Sequence, residues 1–239
     1  MPNSQTATMT IPTELDVAAW DKEYLSGKTI PSSSRKAPSK ILTCFRDIAS
    51  LDHGGDALDG GCGNGRNSVY LADFGWNVTS IDASRAAIDL CKNSANEADV
   101  TNKIVATNQV LDGEWSLPGE SFDLFVDSYV LCHYANSNFV SNYFEQVKRV
   151  LRPTGLMFSS FFSVEDSYYQ KIGKLVNATS KLYRDPNNQL CKKLYTEPEL
   201  KSLINRYFEI RAFVTLRFED VCLGERFERC IFGVVSEKR

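Results

Sequence analysis

Along the chain, apolar runs of strand length alternate with stretches in which apolar residues recur every three or four positions, and from about residue 56 onward this predicts strand–helix–strand units. Before that point, Ile41, Leu42, Phe45, Ile48 and Ala49 fall at helical spacing and predict an amphipathic helix over 38–49. Asp56–Asp59 predicts a first strand, followed by a helix that closes at Gly75, just past its last periodic residue, where a C-terminal cap belongs. Asn77–Asp82 predicts a second strand, and Ser84 can cap a helix running through Ile88, Leu90 and Cys91 to Ala98. Ile104–Thr107 reads as a short third strand. The continuous apolar run Phe122–Ser128 reads as a fourth, covered on both faces as in a parallel sheet. Phe139, Val140, Tyr143, Phe144, Val147, Val150 and Leu151 keep helical period, Arg152-Pro153-Thr154-Gly155 breaks it, and Leu156–Phe162 supplies a fifth strand. Pattern is then lost over 163–197, which is long for a connection and reads as a lid. Pro198-Glu199-Leu200 opens a last helix, and 208–218 and 227–236 read as two strands joined by Glu219 to Glu225. This order predicts an α/β protein with a doubly wound sheet of seven strands, mostly parallel with one antiparallel edge strand.

The first residues differ in kind. Residues 1–13 are rich in Thr, Ser, Asn and Pro and are expected to be disordered. Thr13 can cap a short helix whose packed side carries Leu15, Val17, Trp20 and Tyr24, and Gly27–Pro38 must be a loop. The expected organisation is a flexible N-terminus with a capping helix and loop over 1–38, then one domain over 39–239 with the lid inserted at about 163–197.

Between the first strand and its helix lies Ala57-Leu58-Asp59-Gly60-Gly61-Cys62-Gly63-Asn64-Gly65-Arg66-Asn67-Ser68, with four glycines in six residues. So few side chains in a turn allow something to approach the backbone closely. The spacing is not that of a dinucleotide-binding turn, because Arg66 stands where the third glycine would be, and no Gly-Lys-Ser or Gly-Lys-Thr follows for a phosphate loop. Asp59 beside the turn suits a cationic ligand better than a pyrophosphate.

Leu58 to Ser68, continued by Val69-Tyr70-Leu71-Ala72, resembles the first motif of class I S-adenosylmethionine-dependent methyltransferases, and Leu151-Arg152-Pro153-Thr154-Gly155 before a strand is a second feature of that family. Gly65 to Ala72 is similar to the tellurite-resistance and thiopurine methyltransferases in particular. The resemblance implies a Rossmann-like fold and S-adenosyl-L-methionine as cofactor. It implies that Asp59 receives the cofactor's amino group, that Gly61, Cys62 and Gly63 line its methionine part and ribose, and that Asp82, followed by Ala83, accepts the ribose hydroxyls. Relatives carry an acid after the third strand for the adenine; here Gln109, or Asn108, with Val110 beside it, takes that place. Trp20 and Tyr24 match an opening Trp-x-x-x-Tyr helix that closes over the cofactor. Asp127, Ser128, Tyr129, Leu131, Cys132 and His133 follow the strand beside the transferable methyl group, with Asp127 counted toward the cofactor and Tyr129 and His133 as catalytic candidates, His133 as a base. Asp127-Ser128-Tyr129 replaces the Asn-Pro-Pro-Tyr of amino-methylating enzymes that act on bases, which counts against that chemistry.

Bulk properties narrow the partners. With 27 basic and 30 acidic residues and a net charge of -3, there is no electrostatic footprint for nucleic acid; Arg35-Lys36 with Lys40, and Lys192-Lys193, read as solvated faces. Seven scattered cysteines, never spaced as C-x-x-C, and two histidines argue against disulfides and against a metal site, and for a reducing compartment. No targeting signal or membrane span is legible, so a cytoplasmic protein is expected, as a monomer or homodimer. The leading expectation is methyl transfer to an O, N or S nucleophile of a small molecule. Two alternatives are a protein methyltransferase of the lysine or N-terminal kind, with Glu165, Asp166 and Asp185 walling a peptide channel, and a non-catalytic cofactor-binding protein.

Overall fold

A computed structural model describes residues 15–27, 30–46, 54–134 and 136–239. Thr13, Ile48, Ala49 and His53 lie outside them. Five parallel strands, β1 (Gly55–Gly60), β2 (Trp76–Asp82), β3 (Ile104–Asn108), β4 (Phe122–Ser128) and β5 (Leu151–Phe162), are joined by a hairpin of β9 (Phe208–Cys222) and β10 (Glu225–Lys238). The order across the sheet is β3-β2-β1-β4-β5-β10-β9. The reversed strand is β10, which runs antiparallel to both β5 and β9, so the expected antiparallel edge is this hairpin.

Helices cover both faces. On one, α3 (Lys40–Cys44), α4 (Arg66–Asp73) and α5 (Arg85–Glu97) bury Ile41, Leu42, Leu71, Ile88 and Cys91 against the sheet. On the other, α6 (Ser137–Val150) and α8 (Glu197–Ile204) bury Tyr143, Phe144, Val147, Leu200 and Ile204. Helix α5 starts where expected: Ser84 caps it, its hydroxyl accepting from the Ala87 N–H at 3.1 Å. The N-terminal helix α1 (Val17–Ser26) is capped by Asp16 rather than by Thr13 and ends at Gly27, which takes the left-handed conformation at φ 61°.

Further expectations needed correction. Gly27–Pro38, expected to be a loop throughout, holds a one-turn helix, α2 (Pro31–Ser34). The β9–β10 connection is only Leu223-Gly224, both at positive φ (53° and 83°), which matches the twist of a tight hairpin, so the strands run further than the apolar pattern indicated. Strand β5 continues through the Arg152–Gly155 break. The stretch without legible pattern contains α7 (Ser167–Lys171) and a separate antiparallel sheet of β6 (Lys174–Asn177), β7 (Leu182–Arg184) and β8 (Cys191–Lys193). Strands of three or four residues are too short to display an alternating period.

Candidate functional site

A cavity of about 230 Å³ opens at the C-terminal ends of β1, β2, β4 and β5, where Gly61, Asp82, Ser128 and Phe162 face it. Strand order reverses between β1 and β4, and the crevice at such a reversal is where open α/β sheets take ligands. Gly61, Gly63 and Gly65 all adopt positive φ (67°, 58° and 79°), a conformation that costs glycine little and other residues more. A Cβ on Gly65 would come within 2.6 Å of Cys91 Sγ, so this glycine also sets how closely α4 approaches α5.

Three aspartates end three adjacent strands, and all are pushed up to about 6 by burial. Their partners differ. Asp82 accepts the Gly63 N–H at its Oδ2 and the Ser84 N–H at its Oδ1, each at 2.9 Å, and it faces the cavity. Asp59 accepts a hydrogen bond from Ser68 Oγ (2.6 Å), which in turn receives one from Ser80 (2.9 Å). Its other oxygen, Oδ1, is buried with no hydrogen-bond partner among the described residues. Asp127 is consumed by structure: its carboxylate accepts the Val130 N–H (2.7 Å), the Leu131 N–H (3.2 Å) and the Tyr143 hydroxyl (2.9 Å).

The N-terminal segment forms one wall. Asp21 of α1 accepts from Ser84 Oγ at 2.6 Å and the Ala86 N–H at 3.2 Å, which pins α1 to the start of α5. The following loop is tied to α4 by Asn67, which accepts the Ser39 N–H (2.9 Å), and by Asn64, which donates to the Arg35 carbonyl (3.0 Å). Trp20 stacks on Tyr24 (ring centroids 5.8 Å apart) and meets the His133 ring edge-on at 4.8 Å.

The remaining wall is aromatic and basic. Tyr129 holds a positive φ of 69° and stacks on Phe162 (4.6 Å). Strained backbone of this kind persists only where surrounding packing over-determines it. Burial pushes its hydroxyl up to about 12, so it stays protonated and can donate. His133 Nδ1 lies 2.9 Å from the Cys191 carbonyl; only a protonated nitrogen can bond there, which leaves Nε2 as an acceptor. Burial, assisted by the nearby Lys192 cation, lowers this imidazole to about 3. Asp166, fully buried, pairs with Arg229 at 2.8 Å, accepts the Cys230 N–H and caps α7.

A methyltransferase-domain model matches residues 58–159, the span from β1 to β5 that carries the glycine turn and the three aspartates. A SAM-dependent methyltransferase from Methanosarcina mazei superposes with a TM-score of 0.67 at 24% identity, over 84% of this chain and 98% of that one. The fold is that of class I S-adenosylmethionine-dependent methyltransferases. The 1,6-didemethyltoxoflavin-N1-methyltransferase of Burkholderia thailandensis has this fold as well, with a TM-score of 0.62 at 18% identity over 97% and 94% of the two chains. A probable S-adenosylmethionine-dependent methyltransferase of Saccharomyces cerevisiae is 24% identical over 182 residues, which is 72% of this chain and 60% of that protein.

Within this methyltransferase-like fold, Trp20, Tyr24, Gly61, Asp82, Ala83, Tyr129 and His133 all line one cavity. Asp59, Cys62 and Gly63 lie beneath its floor: the Cys62 side chain turns into the core, and Gly63 contributes its N–H to Asp82. Asp127 is corrected from cofactor contact to turn cap, because the two N–H groups and the hydroxyl it accepts hold its carboxylate. Val110 is 42% exposed and Leu111 lines the cavity in its stead. Asn108 donates to the Asp82 and Ala83 carbonyls, while Gln109 keeps a buried side-chain nitrogen with no partner. The basic spots read as solvated faces are corrected too: Arg35, Lys40 and Lys192 line the cavity, and Lys192 is only 6% exposed. Tyr168, Tyr169 and Arg229 were also missed as site residues. They sit in or beyond a stretch without period, and no spacing signal marks them. Among the described residues no cluster of His, Cys, Asp and Glu could hold a metal ion, and no helix is long and apolar enough to cross a membrane.

Proposed function

We propose that the protein transfers a methyl group from S-adenosylmethionine to a nucleophile of a small molecule. The observation that carries this reading is the buried Asp82 carboxylate at the end of β2, facing the cavity beside the glycine turn. The donor set fits the cofactor. Asp82 faces the cavity and is placed to accept ribose hydroxyls, while the fully buried Asp59 braces the turn from below through Ser68. When bound, S-adenosylmethionine supplies a methyl group on a positively charged sulfur, which a nucleophile displaces with a neutral thioether leaving.

The chain's own residues then have to orient the acceptor and keep water out, and holding reactants in line accounts for much of the rate in such a displacement. Trp20, Tyr24 and the Asp21 clip close one side. Tyr129 and Phe162 offer a flat aromatic surface. His133, neutral at physiological pH, accepts a hydrogen bond through Nε2 and orients an acceptor hydroxyl or N–H; at about 3 it is too weak a base to hold the proton. The acidic peptide channel of a protein methyltransferase finds no support, since Asp166 is spent on Arg229, Asp185 on Tyr168 and Asn187, and Glu165 pairs with the exposed Arg217.

Calorimetric titration with S-adenosylmethionine and S-adenosylhomocysteine tests the cofactor half. Transfer of a labelled methyl to a small-molecule library tests the other. Absence of binding to either nucleotide overturns the proposal, and tight binding with no transfer to any acceptor would favour a non-catalytic cofactor-binding protein.

A further inference from the structure

The cations around the cavity are unequally matched. Arg66, at the start of α4, has no ion pair among the described residues but donates to the Ala37 carbonyl (3.4 Å). Arg35 pairs with Asp220 (3.0 Å), Arg229 with Asp166 (2.8 Å), and Lys40 lies over the exposed side of the Phe218 ring at 4.2 Å. Lys192 differs from all four. It is buried, and its Nζ has neither an ion pair nor a hydrogen bond among the described residues. Instead it sits over the faces of Phe162 (5.4 Å) and Tyr169 (5.5 Å). Asp185, the carboxylate of this wall, is engaged by the Tyr168 hydroxyl (2.8 Å) and the Asn187 amide (3.1 Å). Ring faces offset only part of the cost of holding an ammonium there, so Lys192 Nζ is left without a direct anionic partner among the described residues.

The surroundings limit what that anion can be. Tyr129 and Phe162 stack on each other (4.6 Å, 20°) and Tyr169 meets Phe162 at 64°, so Lys192 stands beside a continuous aromatic wall of the cavity. A flat conjugated molecule can lie against such a wall. A cationic acceptor would stand next to both Lys192 and Arg229, whose guanidinium carbon lies 5.5 Å from the same Phe162 ring.

We propose that Lys192 recognises a negatively charged oxygen, a carboxylate or an ionised hydroxyl, on a planar aromatic acceptor. This rests on the cofactor reading above and goes beyond it by naming the acceptor class. The recognition comes from β8, the same strand whose Cys191 carbonyl orients His133, so the small sheet presents both groups together.

The test is titration of the full chain, saturated with S-adenosylhomocysteine, with two matched pairs: naphthoate against naphthamide, and nitrophenolate against nitroanisole. We expect one or both anions to bind at least about tenfold more tightly than their neutral partners, as a charge-assisted contact requires. Naphthoate alone would indicate a carboxylate, nitrophenolate alone an ionised hydroxyl. Lys192→Met should erase the preference and Lys192→Arg should restore part of it, while both variants still take up S-adenosylhomocysteine, which reports that they fold. Equal binding of charged and neutral partners, undiminished anion binding by Lys192→Met, or no anion binding at all would overturn the assignment. Failure of S-adenosylhomocysteine to bind the wild-type chain would overturn the cofactor reading instead.

Discussion

Replacing Asp82 by Asn separates the cofactor role of a strand-end aspartate from a structural one. In the native chain the Asp82 oxygens accept the Gly63 and Ser84 N–H groups at 2.9 Å each, and the residue keeps 8% exposure toward the cavity. Asparagine preserves size but turns one oxygen into a donor, which must face either an N–H of the turn or the ribose. Charge-assisted hydrogen bonds to a ribose are worth about 1.5–3 kcal/mol each, so losing one of the two weakens S-adenosylhomocysteine binding by about 10- to 150-fold. Asp127→Asn is the matched control: equally placed at a strand end, fully buried and also pushed up to about 6, but spent on Val130, Leu131 and Tyr143. It should cost about 1–3 kcal/mol of folding stability and little affinity once folded. Calorimetry for affinity and urea denaturation for stability read the two effects separately. Asp82→Asn binding within about threefold of wild type, in a chain that melts normally, would refute the reasoning.

Burial of Asp59 and Asp82 also sets a pH dependence. Both stand at about 6 in the fold, above about 3.9 in an unfolded chain, so the folded state retains protons that the unfolded state has lost. Their contribution to stability is therefore fully present below about pH 4 and is lost as pH rises through about 6. A ligand that needs Asp82 ionised shows the reverse: S-adenosylhomocysteine affinity should fall about tenfold per unit below about pH 6, and a flat profile by calorimetry would contradict this. Asp166→Asn leaves Arg229 buried without its counter-ion and should cost about 3–5 kcal/mol in denaturant titration, whereas a loss below about 1 kcal/mol would mean that the pair does not brace α7 against β10. Asp21→Ala removes the side chain that takes Ser84 Oγ and the Ala86 N–H, so amide exchange in α1 should accelerate by about three- to thirtyfold and the cofactor should dissociate faster; unchanged protection over Val17–Ser26 would dismiss the clip.

The sheet, its glycine turn and the strand-end aspartates were legible in the sequence because their signals are local. Buried parallel strands such as Phe122–Ser128 are continuous apolar runs, helices such as Ser137–Val150 repeat at their own period, and the glycines at 61, 63 and 65 mark backbone conformations that other residues resist. Only tertiary structure could tell apart Asp59, Asp82 and Asp127, three acids at the ends of adjacent strands, because what distinguishes them is which N–H or hydroxyl each meets across the fold. Nor does a Lys-Lys pair in a stretch without pattern reveal that one lysine lies over the rings of the cavity wall while its neighbour lies over Tyr195. The same holds for His133, whose tautomer is chosen by a carbonyl 58 residues away. Sequence determined where the glycine turn and the acidic strand ends had to be, since they are written in neighbouring residues. The wall that β8 and α7 add to the cavity was decided by long-range contacts, because these elements acquire their places only by packing against the main sheet.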